Sequence, residues 1–282
     1  MRGATPATNR PAQALLWLAS SAAKGKIRLT YYNEICDYTA SWLERLVDAR
    51  LVTPGNVDRR SIHEVMPDDI RSHEWAHFFA GIGGWDYALQ LAGWPTTRPV
   101  WTGSAPCQPF SVAGKRRGFG DARHLWPEWF RLIRECRPPT IFGEQVASND
   151  GLRWFDAVCA DLENEGYAVG AADIPAAGVG APHVRQRIWF CAMANTDVGK
   201  SENRGVQRSR RHMQRSTDAD SGAGPWNDFV WIACRDGKSR PTQPKLFPLA
   251  HGIPRRMEQL RAYGNAIVPQ VAATFIKSVM YV

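Results

Sequence analysis

HFFAGIGGWDYALQL, residues 77–91, decides how the fold is read. Residues 77–80 are apolar and aromatic and read as a short buried strand. Gly81-Ile82-Gly83-Gly84 makes a turn, and residues 85–91 carry the apolar spacing of a helix. A strand entering a helix through glycines leaves backbone N–H groups free at the helix N-terminus, which suits a nucleotide or an amino-acid carboxylate. Alone the signal is weak, because tight structural turns are built the same way.

The same alternation extends outward. Residues 27–35 (IRLTYYNEI) read as a strand ending at Asn33-Glu34, and Trp42, Leu43, Leu46, Val47 and Leu51 fall at helical spacing before Pro54-Gly55 stops the run. Downstream come a strand at 99–104, a loop through Pro106-Cys107-Gln108-Pro109, and a helix at 124–136. A strand at 140–146, a helix at 154–165 and a strand at 187–194 follow. This pattern predicts a doubly wound, mostly parallel α/β sheet with its ligands at the carboxyl ends of the strands. Residues 268–282 read as a closing apolar helix. Residues 195–250 form a polar, Arg-rich insert, leaving 1–26 as a tail and short packing helix, 27–194 as the catalytic domain and 251–282 as its return.

The 282 residues carry a formal charge of +8, which favours a polyanionic partner, nucleic acid first. No run of about 18 apolar residues suggests a membrane span. Arg2 and Arg10 ahead of ALLWLA (residues 14–19) faintly imitate a secretory signal, but the run is short and Pro6 and Pro11 precede it. The six cysteines are scattered with no CxxC pair, so a reducing compartment is the simpler reading.

His73-Glu74-Trp75-Ala76-His77 matches the HExxH pattern of zinc proteases. Zinc needs both imidazoles on one helical face, whereas His77 opens a strand and an extended chain would set the pair roughly 13 Å apart. Other residues carry more chemistry. Glu34 ends a strand, where an acid can pair with ribose hydroxyls. Cys107 lies in an extended loop between prolines, which can present its thiol to a ligand. Glu144 ends the next strand, and Arg185 and Arg187, two apart, read as paired cations on one strand face.

Together FAGIGG (79–84), PCQPFS (106–111), EQV (144–146), HVRQR (183–187) and GNAIVP (264–269) resemble the cytosine-C5 DNA methyltransferase family, over roughly residues 27–194 and 250–282. The resemblance implies a Rossmann-like fold dependent on S-adenosylmethionine, with a small target-recognition insert. It implies methylation of C5 of a flipped cytosine in double-stranded DNA through a covalent Cys107 adduct, assisted by Glu144, Arg185 and Arg187. Cofactor binding falls to Glu34, Ile35, Asn56, Phe79, Ala80, Gly81, Ile82, Gly83, Gly84, Pro106, Asn265 and Ala266. A monomer without metal or membrane is expected, in the cytoplasm of a bacterial or phage-infected cell, in a restriction-modification setting. RNA cytosine methylation on the same scaffold, or a noncatalytic DNA-binding relative, stays open as an alternative.

This sequence departs from the family's pattern. Only about twenty residues separate Gly84 from Cys107, too few for the adenosine-binding segment, which is found upstream as Asn33-Glu34-Ile35 and Pro54-Gly55-Asn56-Val57. A permuted order follows. A parallel sheet tolerates this when the ligand-binding strand ends still meet at one crevice, because right-handed crossovers constrain local units more than chain order. Asn56, Gln145 and His183 stand where the family usually has Asp, Asn and Gln.

Overall fold

The computed structural model describes residues 29–106, 125–195, 230–233, 239–242 and 256–280. Seven strands make one sheet: β1 (Thr30–Asn33), β2 (Gly55–Asp58), β3 (Trp75–Phe78), β4 (Val100–Gly103), β5 (Thr140–Val146), β6 (Tyr167–Pro175) and β7 (Gln186–Ala194), in the spatial order β2-β1-β3-β4-β5-β7-β6. The first five run parallel, and β7 is antiparallel to both β5 and β6. The helices are α1 (Asp37–Asp48), a single turn α2 (Pro67–Ile70), α3 (Gly84–Ala92), α4 (Trp126–Cys136), α5 (Asn149–Asn164), α6 (Arg256–Asn265) and α7 (Pro269–Met280). A separate hairpin pairs β8 (Val230–Ala233) with β9 (Ser239–Thr242) inside the Arg-rich insert. The rest of that insert, residues 1–28 and the Cys107 loop lie outside the described residues.

Side chains alternate across the sheet as period two requires. Tyr31, Ala76, Phe78, Trp101, Ile141 and Phe190 face α4 and α5, which answer with Trp126, Trp129, Leu132, Ile133, Trp154, Val158 and Leu162. On the other face Trp75, Phe142 and Trp189 meet Trp85, Leu89, Val271 and Phe275 of α3 and α7. Gly143 sits between these layers, and a Cβ there would fall inside the ring of Phe190. Gly143→Ala is therefore expected to destabilise the protein by about 1–3 kcal/mol through overpacking; a chemical-denaturation midpoint equal to wild type would contradict the packing described.

The crossovers do not share one hand. β1–α1–β2 moves toward the β2 edge, with α1 on the face of Tyr32 and Val52. β4–α4–β5 moves the opposite way with its helix on the opposite face, so the two units have the same hand. β3–α3–β4 also moves away from the β2 edge, yet α3 lies on the α1 face. The Tyr32 hydroxyl donates to Asp86 of α3 at 2.8 Å, and a Cβ at Gly83 would lie 3.0 Å from Leu43 of α1. Because parallel crossovers are right-handed in about 98% of cases, β3–α3–β4 is the left-handed one. Here a local unit breaks the rule that the sequence reading relied on.

Several sequence-derived boundaries shift. The central strand is Trp75–Phe78, and Phe79, at φ 52°, already belongs to the turn. Ser148 caps α5 by accepting from the Gly151 amide at 3.0 Å, so this helix starts five residues before the predicted 154. β6 and α6 were not anticipated. His73 packs on Tyr31 and His77 on Tyr32, opposite faces of β1, and His77 Nδ1 is 2.7 Å from the Thr102 hydroxyl. The HExxH imidazoles thus point into different layers. Among the described residues no group of three or more His, Cys, Asp or Glu could hold a metal, and no helix is long and apolar enough to cross a membrane.

Candidate active site

The carboxyl ends of β1, β3, β4 and β5 and the amino end of antiparallel β7 meet along one edge of the sheet. At the β1 end, Glu34 Oε2 accepts from the Gly81 amide at 2.7 Å and Oε1 from the Cys36 amide at 2.8 Å. The carboxylate thus bridges the first turn of the sheet to the glycine turn, although the two lie 47 residues apart. Gly81 (φ 56°) and Gly83 (φ 77°) both take left-handed backbone, which glycine adopts without a Cβ penalty. Gly84 begins α3, and a Cβ on it would lie 2.9 Å from Ile267. The first turn of α3 is anchored by Asp86, fully buried, which accepts from the Tyr32 hydroxyl, the Thr53 amide at 3.0 Å and Gln90 at 2.6 Å. Burial alone would raise the Asp86 carboxyl; His77 and the Thr53 amide outweigh it and hold the group below the usual range.

Ile35, beside Glu34, is 64% exposed and offers apolar surface to a ring. Asn56 is the second residue of β2, opposite Tyr31, two residues short of the strand end. Asp58 stands there instead: its carbonyl accepts from the Glu34 amide at 3.0 Å, and its carboxylate accepts from the Tyr31 hydroxyl and Arg60. Burial pushes the Asp58 carboxyl up, but the Arg60 bonds win and hold it low.

Four strands away from β2, Glu144 is 8% exposed near the end of β5. Arg187 Nε lies 2.7 Å from Glu144 Oε1. Burial pushes the Glu144 carboxyl up; Arg187, the Ser104 hydroxyl and Arg185 pull it back only in part, so it stays above the ordinary range. Ser104, which the sequence reading missed, also accepts from Trp85 Nε1 at 3.1 Å, tying β4 to α3. Its signal was its place, just past a strand and two residues before PCQPFS. Gln145 donates to the Ala105 carbonyl at 3.1 Å, holding the chain that leads through exposed Pro106 to the Cys107 loop.

The expectation that Arg185 and Arg187 share a strand face is corrected. β7 begins at Gln186, and Arg185 precedes it with φ 34°, so the side chains diverge. Arg187 goes to Glu144, while Arg185 Nη2 donates to the carbonyls of Gly264 (2.9 Å) and Ala266 (2.6 Å). Asn265 lies between those carbonyls at the end of α6. A cleft of about 640 Å³ opens beside the glycine turn, lined in part by Ile82, Gly83, Gly84, Arg185, Ala266 and Ile267.

A doubly wound sheet with a glycine turn, an acid at the neighbouring strand end and a Glu–Arg pair across the same edge places these groups where folds of this class carry their ligand site. Residues 95–221 match the family described as C-5 cytosine-specific DNA methylase. The type II methyltransferase M.PspPI of Psychrobacter sp. (strain TA137) is 31% identical over 148 residues, which are 38% of this chain and 36% of that protein. M.BanI of Aneurinibacillus aneurinilyticus is 39% identical over 89 residues, 30% of this chain and 21% of that one. For M.HhaI of Haemophilus parahaemolyticus the figures are 34% over 94 residues, 32% and 29%. The aligned part thus spans at most about a third of these relatives' length. Among solved structures, a mutant of Spodoptera frugiperda DNMT2 gives a TM-score of 0.42 at 16% identity, covering 69% of this chain and 50% of that one.

Proposed function

We propose that this protein is an S-adenosylmethionine-dependent DNA (cytosine-5)-methyltransferase acting on a flipped cytosine in double-stranded DNA. The observation that carries the reading is the pair of buried Glu144 with Arg187, set on the same strand edge as a glycine turn that an acid grips from the neighbouring strand. The residues present fit the cofactor. Each Glu34 oxygen keeps a free lone pair for a ribose hydroxyl beyond the amide it already accepts. Ile35 offers its face to a purine, and Asp58, rather than Asn56, stands where an adenine amino group would find an acceptor. Bound there, S-adenosylmethionine supplies an electrophilic methyl group.

The chain's own groups prepare the base. Cys107 adds as thiolate to C6 of the cytosine. Glu144, whose carboxyl pKa burial raises, shares a proton with N3 and relieves the negative charge that develops on the ring, while Arg187 fixes its position. C5 becomes nucleophilic only in this adduct. Loss of the C5 proton and of Cys107 then restores the aromatic ring.

The left-handed β3–α3–β4 unit supports a rearranged chain order. If α3 keeps the place it has where its strand leads toward the β1 side, rerouting the chain to β4 reverses the crossover without moving the helix. A monomer in the cytoplasm of a bacterial or phage-infected cell belongs to the same reading, and the relatives named type II methyltransferases are bacterial.

Incubation with mixed-sequence DNA and S-adenosylmethionine, followed by base-resolution mapping, should reveal 5-methylcytosine in a defined context; methyl transfer to RNA alone would transfer the reading to that substrate. Glu34→Ala should weaken S-adenosylmethionine binding by about tenfold or more, the loss expected for a charged hydrogen bond of about 1.5–3 kcal/mol. Unchanged affinity by calorimetry would remove Glu34 from the cofactor site.

A further inference from the structure

We infer that Arg185 is a positioning residue of the cofactor site, a latch that ties residues 264–266 to the β6–β7 connection and thereby couples the cofactor pocket to the base pocket. The inference rests on the methyltransferase reading above and assigns Arg185 a different task from Arg187.

The geometry begins with the backbone. Arg185 is one of four non-glycine residues with positive φ among those described, a conformation that costs energy and persists only where the surroundings hold it. The hold is visible: the Ala176 amide donates to the Val184 carbonyl at 2.7 Å, closing the connection between β6 and β7. The turned backbone gives the Arg185 guanidinium different partners from Arg187, which pairs with Glu144. Arg185 lies instead at the carboxyl end of α6, where helix carbonyls lack intrahelical partners and the helix dipole favours a cation. One nitrogen donates to both Gly264 and Ala266.

The next residue transmits the hold. Ile267 is buried, and its Cγ1 lies 2.9 Å from where a Gly84 Cβ would be, so the latched segment seats directly on the glycine turn. From Glu144 the contacts therefore run through Arg187, along the chain through Gln186 to Arg185, across to Gly264 and Ala266, and through Ile267 to Gly84. Ordering the start of β7 around a bound base also orders the latch. By linkage, DNA should tighten cofactor binding and the cofactor should tighten DNA binding by the same factor.

The test uses Arg185→Asn, because asparagine tolerates left-handed backbone while losing the cation and the reach. S-adenosylhomocysteine binding is measured by calorimetry with and without DNA that the wild type methylates. The variant should bind about tenfold more weakly, show a smaller gain from DNA, and raise KM for S-adenosylmethionine more than it lowers kcat. A dissociation constant within about twofold of wild type, or a fall in kcat with KM unchanged, overturns the latch. Arg185→Lys keeps the cation at the helix end and covers the case in which the asparagine variant does not fold. Its KM should rise by about two- to fivefold, and an unchanged KM overturns the inference equally. Failure of the wild type itself to bind S-adenosylhomocysteine would refute the methyltransferase reading, a separate outcome.

Discussion

Replacing Glu144 with glutamine is expected to lower kcat by about 10²- to 10⁴-fold, the range that one positioned acid contributes. The side chain is 8% exposed, so an ionised carboxylate there has little water to solvate it, and the raised pKa that results favours sharing a proton with N3 of the base. Arg187 prevents the shift from growing without bound and fixes the carboxyl plane. Glutamine preserves the shape and can offer an amide hydrogen, but it cannot give up a proton as charge builds on the ring. The pH profile makes the role specific. A group with a raised pKa is in its active, protonated form at low pH, so activity that depends on it falls as pH rises through that pKa. Wild type should show this alkaline fall, and Glu144→Gln should lose it while keeping whatever acid-side rise comes from ionising the nucleophile. The same sign governs stability: the neutral carboxyl favours the fold below the unfolded pKa, and that contribution fades as pH rises through the folded one. A variant with normal kcat, or with the alkaline limb intact, would show that Glu144 is only half of a structural ion pair.

What the sequence made legible follows from how local the signal is. β5 was read to the residue because TIFGEQV opens on β-branched and aromatic residues and is bounded by Pro138-Pro139. β6 escaped because YAVGAADIP is built from small residues on a partly exposed edge strand, where alternation carries little contrast. α6, polar along most of its length, shows too weak an apolar face to announce a helix. The glycine turn, Glu34 and Glu144 were visible because their chemistry depends on place along a strand, which spacing reveals. The place of Asn56 inside β2, two residues before the strand end, was not legible, since that end is set by pairing with β1 rather than by the Pro54-Gly55 turn. The divergence of Arg185 from Arg187 could not be read at all: it depends on one non-glycine φ of 34°, which leaves no trace in composition or period. The reversed hand of β3–α3–β4 was equally hidden, because it depends on which face of the sheet α3 shares with α1.

Cys107→Ser should abolish methyl transfer, by about four orders of magnitude or more, while leaving S-adenosylmethionine affinity close to wild type. C5 of intact cytosine is a poor nucleophile, and addition at C6 is what enriches it, so the reaction cannot be rescued by positioning alone. A thiol with an ordinary pKa of about 8.5 already holds a few per cent thiolate at neutral pH, and the thiolate is the attacking form. A serine hydroxyl ionises far less readily and no residue of the cofactor site is needed to make the difference. Binding and chemistry should therefore separate in this variant, whereas Glu34→Ala strikes binding first. DNA carrying 5-fluorocytosine sharpens the test. After Cys107 has added to C6 and C5 has taken the methyl group, fluorine occupies the position from which a proton would leave, so elimination stops and the C6–sulfur bond persists. Wild type should then migrate with the DNA as a band stable to denaturation, dependent on S-adenosylmethionine, and the serine variant should give none. A serine variant that turns over near the wild-type rate would eliminate covalent catalysis through Cys107 and, with it, the reason for placing Glu144 beside the base.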